Sequence, residues 1–248
     1  IPLRLVGSEM CIRDRPWKRA SEGAVGGYWG LFDADRQDKG ILAGPVSNLP
    51  YWPLWLGVGG LILLGTLVLG GRPRDHRAAL LLPLLGAVAA CSIGTWGELA
   101  RATSRFAGEW CWAALLLGLN LLVLAHAALA LSPRQSWRLK AFDALEKRAG
   151  WLLTAAGFAA AVMMLELVFD PRYRSFPSAA LLLPALVYLC RPVRVPRREI
   201  ALLTFIVGAG IAPQLYQEGL ANQQAWGWAL VSLLMVAALW RNLRARRA

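Results

Sequence analysis

Histidine and cysteine are scarce in this chain, two and four in 248 residues, and no two cysteines stand in a CxxC pair. Cys91, Cys111 and Cys190 lie in or beside apolar runs with no histidine at metal-ligand spacing, so neither a metal site nor a Cys91–Cys111 disulfide is expected. No cofactor motif is apparent. Acidic residues are few as well: 15 Asp and Glu face 27 Lys and Arg, a formal charge of +12. That excess would suit nucleic acid only if it formed a patch or an arm. The arginines are instead scattered between apolar runs, and no nucleic-acid partner is expected. Period-2 alternation is also missing, which excludes a transmembrane β-barrel.

The chain is rich in apolar residues, 57% of the total, with a mean hydropathy of +0.45. Soluble domains seldom exceed about half apolar, so a lipid bilayer must solvate much of this chain. Seven apolar runs follow one another: roughly Trp52–Gly70, Ala78–Trp96, Trp110–Leu131, Trp151–Phe169, Ser178–Cys190, Ile200–Tyr216 and Ala225–Trp240. Crossing about 30 Å at 1.5 Å per residue takes about 20 residues, which most of them approach and the fifth does not. Unpaired backbone groups are costly in hydrocarbon, so each run is predicted to be a helix. The expected fold is an all-α polytopic membrane domain of about seven helices over residues 51–248.

Arginine and lysine switch sides with each crossing. Arg72, Arg74 and Arg77 follow the first run; Arg134, Arg138, Lys140, Lys147 and Arg148 the third; Arg191, Arg194, Arg197 and Arg198 the fifth; Arg241, Arg244, Arg246 and Arg247 the last. The opposite loops hold only Arg101, Arg105, Arg172 and Arg174. Sixteen against four places the C-terminus and the rich loops in the cytoplasm and the N-terminus outside. In a bacterium that means the inner membrane, with the segment before Tyr51 in the periplasm. Trp52, Trp55, Trp96, Trp110, Trp112, Trp226 and Trp228 then fall at outer ends, against Trp137, Trp151 and Trp240 at inner ones. An interfacial belt accounts for most of them, and some offer a stacking surface for a sugar ring.

Few ionisable or amide groups lie at membrane depth: Glu98, Asn120, His126 and Glu166. Such groups are functional candidates by default. Asn120 is expected to bond between helices, and Glu98 to pair with Arg101 or Arg105. His126 is expected to pack, because no carboxylate stands at comparable depth along the chain. Gly57, Gly59 and Gly60 predict close packing of the first helix, and Gly208, Gly210 and Pro213 close packing and a kink in the sixth. Ser132–Gly150, with Trp137, Leu139, Phe142 and Leu145 among five cations, is expected to lie along the inner leaflet.

Before Tyr51 the composition changes. Residues 41–50 form a turn-rich linker with Gly44, Pro45, Asn48 and Pro50. Residues 16–40 are polar and glycine-rich, and only Tyr28–Phe32 is apolar enough for a short strand. Pro16-Trp17-Lys18, then Glu22, then Trp29-Gly30-Leu31-Phe32, then Lys39 resembles the C-terminal end of the (β/α)8 barrel of family 17 glycoside hydrolases. The run Leu5-Val-Gly-Ser-Glu-Met-Cys-Ile-Arg-Asp-Arg15 resembles the translation of a transposon-type sequencing-library adaptor. Residues 1–15 are therefore expected to be an artefact, dispensable for folding and insertion.

A barrel end followed by hydrophobic spans is similar to bacterial membrane-bound proteins called β-(1,3)/(1,6)-glucan synthases or family 17 glucanases. The resemblance implies a retaining hydrolase or transglycosylase remodelling β-glucan in the periplasm, with the helices as anchor and envelope glucan-synthesis or export proteins as partners. In that class two carboxylates about 5–5.5 Å apart act as acid and nucleophile. The resemblance places both on earlier barrel strands, so no catalytic residue is expected here. Trp17, Lys18, Glu22 and Trp29 are at most sugar-binding. The loops on the cytoplasmic side carry no DxD motif or acidic cluster, so a nucleotide-sugar transferase is not expected. The alternative is a non-enzymatic membrane transport or scaffold subunit for polysaccharide export.

Overall fold

The computed structural model describes residues 12–18, 27–40, 51–132, 136–170, 175–219 and 221–245. The linker 41–50, residues 1–11 and Glu22 lie outside the described residues. Among them are eight α-helices: α1 (Trp52–Gly70), α2 (His76–Thr103), α3 (Ala107–Leu131), α4 (Ser136–Glu146), α5 (Ala149–Phe169), α6 (Ser178–Cys190), α7 (Arg197–Glu218) and α8 (Gln223–Arg244). Six are long and apolar enough to cross a bilayer: α1, α2, α3, α5, α7 and α8. The chain is thus an all-helical, multi-pass membrane protein.

Local chemistry sets the boundaries. Asp75 accepts a hydrogen bond from Ala78 N at 2.7 Å and caps α2, which starts two residues before the predicted run and continues to Thr103. Asn222 accepts from Gln224 N and Ala225 N and caps α8. α1 and α7 stop at Gly71 (φ 58) and Gly219 (φ 70), whose positive φ suits glycine. α1 and α6 keep the bounds of their apolar runs, whereas α2, α3, α5, α7 and α8 outlast theirs, because residues at the ends still form backbone hydrogen bonds.

The bundle packs through small side chains. Ala149, Ala156, Ala159, Ala160, Ala161, Ala180 and Ala185 are buried, and their size lets helices approach where lipid supplies no hydrophobic drive. A Cβ on Gly210 would fall 2.2 Å from Met164 Cγ, so α7 meets α5 as the glycine pattern predicts. The first helix differs. Gly57 and Gly60 have nothing within reach of a Cβ, only Gly59 touches a neighbour, Ala90, and most of α1 faces outward. Of the three glycines singled out in the sequence only Gly59 meets a neighbour; α1 packs instead through Gly70, where a Cβ would fall 2.3 Å from Leu82 Cδ2, and through Trp55 against Gly97.

α6 is the exception that shapes the molecule. Its 13 residues span about 20 Å, short of the hydrocarbon core. Ala180, in its first turn, accepts a 2.8 Å hydrogen bond from Asn120 Nδ2, halfway along α3. Tyr188, in its last turn, accepts one from Asn242 Nδ2 near the end of α8. α6 therefore fills only the arginine-rich half of the bundle. Above its first turn the backbone of Ser175–Pro177 is irregular, an arrangement tolerated at membrane depth only inside protein or beside a polar cavity.

The segment before the membrane domain contains no strand among its described residues. Phe32 makes isolated bridges to Arg13 and Asp38 in place of the predicted Tyr28–Phe32 strand. Asp14 is buried, accepting from Gly30 N at 2.8 Å and from Lys39 Nζ at 3.0 Å, while Lys39 Nζ also donates to the carbonyls of Tyr28 and Gly30. Arg13 and Asp14 are tied into the same knot as residues 27–40.

Candidate functional site

The space left above α6 is a cleft of about 420 Å³. The end of α2 contributes Trp96, the α2–α3 connection Ser104 and Arg105, α3 Glu109 and Trp112, and α5 Glu166 followed by Asp170. Ser175 and Pro177, which lead into α6, complete the wall. Arg105 and Glu109 are pre-arranged: Nη2 lies 2.6 Å from Oε1, and the Arg105 backbone N–H donates to Oε2. That hydrogen bond holds the Arg105 guanidinium above its ordinary value, so the cleft keeps a fixed cation. The Glu166 carboxylate makes no hydrogen bond with any described residue, although it faces the same space. Trp96 is buried and donates its indole N–H to Ala113 O, whereas Trp112 is half-buried.

An indole, hydroxyl donors, a charge-paired carboxylate and an unpaired one make a mixed polar and aromatic surface. Its volume lies within the range of small-ligand pockets, about 300–1,000 Å³. Such a surface favours a ligand with both apolar faces and hydroxyl groups. No group of three or more metal-ligating side chains occurs among the described residues.

No protein-family model, curated protein or solved structure matches the chain. Function therefore rests on the residues themselves.

The four polar groups singled out within the helices are not brought together. Glu98 joins the first two helices near the cleft end, accepting from Trp55 Nε1 at 2.7 Å and pairing with Arg101 Nη2 at 2.6 Å; Arg101 in turn covers the Tyr51 ring at 4.1 Å. Arg105 pairs with Glu109, not with Glu98. Asn120 donates to Leu116 O and Ala180 O and bonds between helices as expected. Glu166 alone enters the cleft. Because Tyr51 opens α1 beside Arg101, the extramembrane segment joins the bundle at this same end. Trp17 and Trp29 there are 65% and 53% exposed, and Lys18 closes the short turn Pro16–Lys18.

His126 requires a correction. It is fully buried, and its Nε2 lies 2.7 Å from Glu146 Oε2. Arg191 Nη2 reaches the same oxygen at 3.0 Å. Phe142 stacks on the imidazole with centroids 5.8 Å apart, and Arg191 Cζ lies over the Phe142 ring, 5.1 Å from its centroid. The carboxylate that the sequence did not show at this depth comes from α4, which folds back onto α3. Burial pushes the Glu146 carboxyl up, but the hydrogen bonds from His126 and Arg191 outweigh it and hold the group below its ordinary value.

Sequence reasoning missed Glu109, Asp170, Glu146 and Arg191. A signal existed for the first two, since each stands four residues from a charged group already singled out, Glu109 from Arg105 and Asp170 from Glu166. None existed for Glu146, which is 20 residues from His126.

The tryptophan belt also divides. Trp52, Trp110, Trp226, Trp151 and Trp240 are exposed at helix ends, whereas Trp96 and Trp228 are buried inside the bundle.

Proposed function

We propose that this chain is the membrane domain of a bacterial envelope protein that remodels β-glucan, lying in the inner membrane with its cleft toward the periplasm. The observation that carries the reading is the aromatic and carboxylate-lined cleft near the end of the bundle where Tyr51 opens α1. The run from Pro16 to Lys39 resembles a family 17 barrel end, and the sixteen-to-four split of basic residues supports the orientation. In this reading acid–nucleophile chemistry belongs to barrel strands outside the chain. The membrane domain anchors that barrel and offers Trp112, Glu109 and Glu166 to a glucan segment. A ring stacked on an indole contributes about 1–3 kcal/mol, taking aromatic–base stacking as a proxy.

The test is binding and turnover of laminari-oligosaccharides by the chain in detergent micelles. Binding without cleavage is expected, with Trp112→Ala weakening it by about 1–3 kcal/mol. Coding sequence upstream of Pro16 should contain about 250 residues of barrel with two glutamates at strand ends. Cleavage by the chain alone, or an upstream region lacking a barrel, would refute the reading. Reporters active only in the periplasm should be silent after Ala248 and active at Leu220.

A second reading, a transport subunit for polysaccharide export, draws on the half-length α6, since interrupted helices line substrate sites in transporters. It predicts saccharide flux across proteoliposomes, which the first reading does not.

A further inference from the structure

α5, α7 and α8 meet at Gly157, where a Cβ would fall 3.1 Å from Leu239 Cδ2 of α8 and 3.3 Å from Leu203 Cδ1 of α7. From Leu203 on to Gln214, and from Leu239 back to Trp228, is in each case eleven residues, about three helical turns. Gln214 therefore shares the Leu203 face of α7 and Trp228 the Leu239 face of α8, with Ser232 one turn from Trp228 on that same face. Both steps run toward the cleft end of the bundle. The helices stay together over this length: Gly210 meets Met164 of α5, and Gln217 Nε2 donates to Val168 O at 3.1 Å. The three polar side chains thus enter one seam. Glu166 lies nine residues from Gly157, about half a turn round α5, so the seam and the cleft are on opposite sides of that helix.

Gln214, Trp228 and Ser232 all have zero exposure. Gln214 Nε2, Gln214 Oε1, Trp228 Nε1 and Ser232 Oγ have no hydrogen-bond partner among the described residues. A buried amide, indole N–H and hydroxyl left unpaired would each carry the full cost of desolvation. Beside them Pro213 has no N–H to offer the Ala209 carbonyl, and ordered water commonly satisfies a backbone group freed in this way within a membrane helix. None of the three side chains is ionisable, and the set includes both donors and acceptors. Water matches it: it donates and accepts in the smallest volume, and a buried water makes about three hydrogen bonds to such groups.

We propose that Gln214, Trp228 and Ser232 bind ordered water in the seam of α5, α7 and α8, and that this water joins the outer turns of α7 and α8. The test is made on the whole chain in detergent micelles. In chain carrying ¹⁵N-labelled tryptophan, the Trp228 indole N–H, identified by its disappearance in Trp228→Phe, should show a nuclear Overhauser effect to water with the sign of bound, slowly tumbling molecules. Gln214→Leu should abolish that signal. It should also lower the unfolding midpoint by about 4 °C or more, because expelling the water strands the indole N–H and the hydroxyl. In a dry seam the same substitution would only remove two unpaired groups, and the midpoint would hold or rise. A midpoint that holds or rises, no water signal at Trp228 in the parent chain, or a signal that survives Gln214→Leu would each overturn the proposal. The signal in the parent chain decides even where Gln214→Leu does not fold. The outcome does not depend on the glucan reading.

Discussion

At one end of the bundle His126 and Arg191 share a single oxygen of Glu146, with Phe142 stacked over the imidazole; at the other, Glu166 faces a cleft and makes no hydrogen bond with any described residue. Both ends collect charged groups in a membrane protein, yet they use them differently. The cluster at the arginine-rich end is closed around its carboxylate: His126 and Arg191 both reach Glu146 across α3, α4 and the end of α6, tying an amphipathic helix to the core, although His126 Nδ1 and Arg191 Nε find no partner among the described residues. The cleft is open: Arg105 and Glu109 pair with each other, but the Glu166 carboxylate has no hydrogen-bond partner among the described residues. A closed polar cluster stabilises, whereas an open one has capacity left for a ligand.

The sharpest way to break this contrast lies beside the closed cluster. Asn242 is buried, accepts from Val193 N at 2.6 Å and donates to Tyr188 O and Ala238 O. Asn242→Leu should strand the Val193 N–H and cost about 3 kcal/mol, read by thermal unfolding in micelles. His126→Ala should cost about 2 kcal/mol through the cavity and the lost Glu146 partner, and amide exchange across α4 should accelerate. Restriction of that acceleration to α4 would distinguish a tether from a general core defect.

Acid offers a milder probe. The Glu146 carboxyl titrates below its ordinary value of 4.5. A lowered value in the folded state means that the stabilisation is fully present above 4.5 and is lost as pH falls through the lower, folded value. Exchange across α4 should therefore rise in that acidic window, and Glu146→Gln should remove the pH response. The smallest stability effect is expected in the cleft: Glu166→Gln should change unfolding by less than about 0.5 kcal/mol, since it breaks no hydrogen bond with a described residue. Any saccharide binding should fall with it. A large stability loss there would erase the difference between the two ends.

The helices were legible because apolar runs of the right length have few alternatives in lipid. The predicted bounds of α1 and α6 agree with the structure, α2, α3, α5, α7 and α8 run two to nine residues longer, and α4 is shorter than the segment Ser132–Gly150 expected along the leaflet. The function of individual polar groups was less legible. Asn120 and Glu98 were placed correctly because their partners are close in depth or in sequence. His126 was misjudged because depth along the chain is not depth in the bundle once α4 folds back. The run Tyr28–Phe32 looked like a strand by composition, but no neighbouring strand is present among the described residues to pair with it.

Hydropathy and length by themselves determined that the chain is helical and membrane-embedded, since every backbone group in hydrocarbon must be paired within its own segment. They also determined that Ser178–Cys190 is too short to cross. Only the tertiary structure decided which half of the bundle that short helix fills. Asn120 fixes its first turn at mid-depth and Asn242 its last, and the space above it becomes a cleft because no other helix is there to close it.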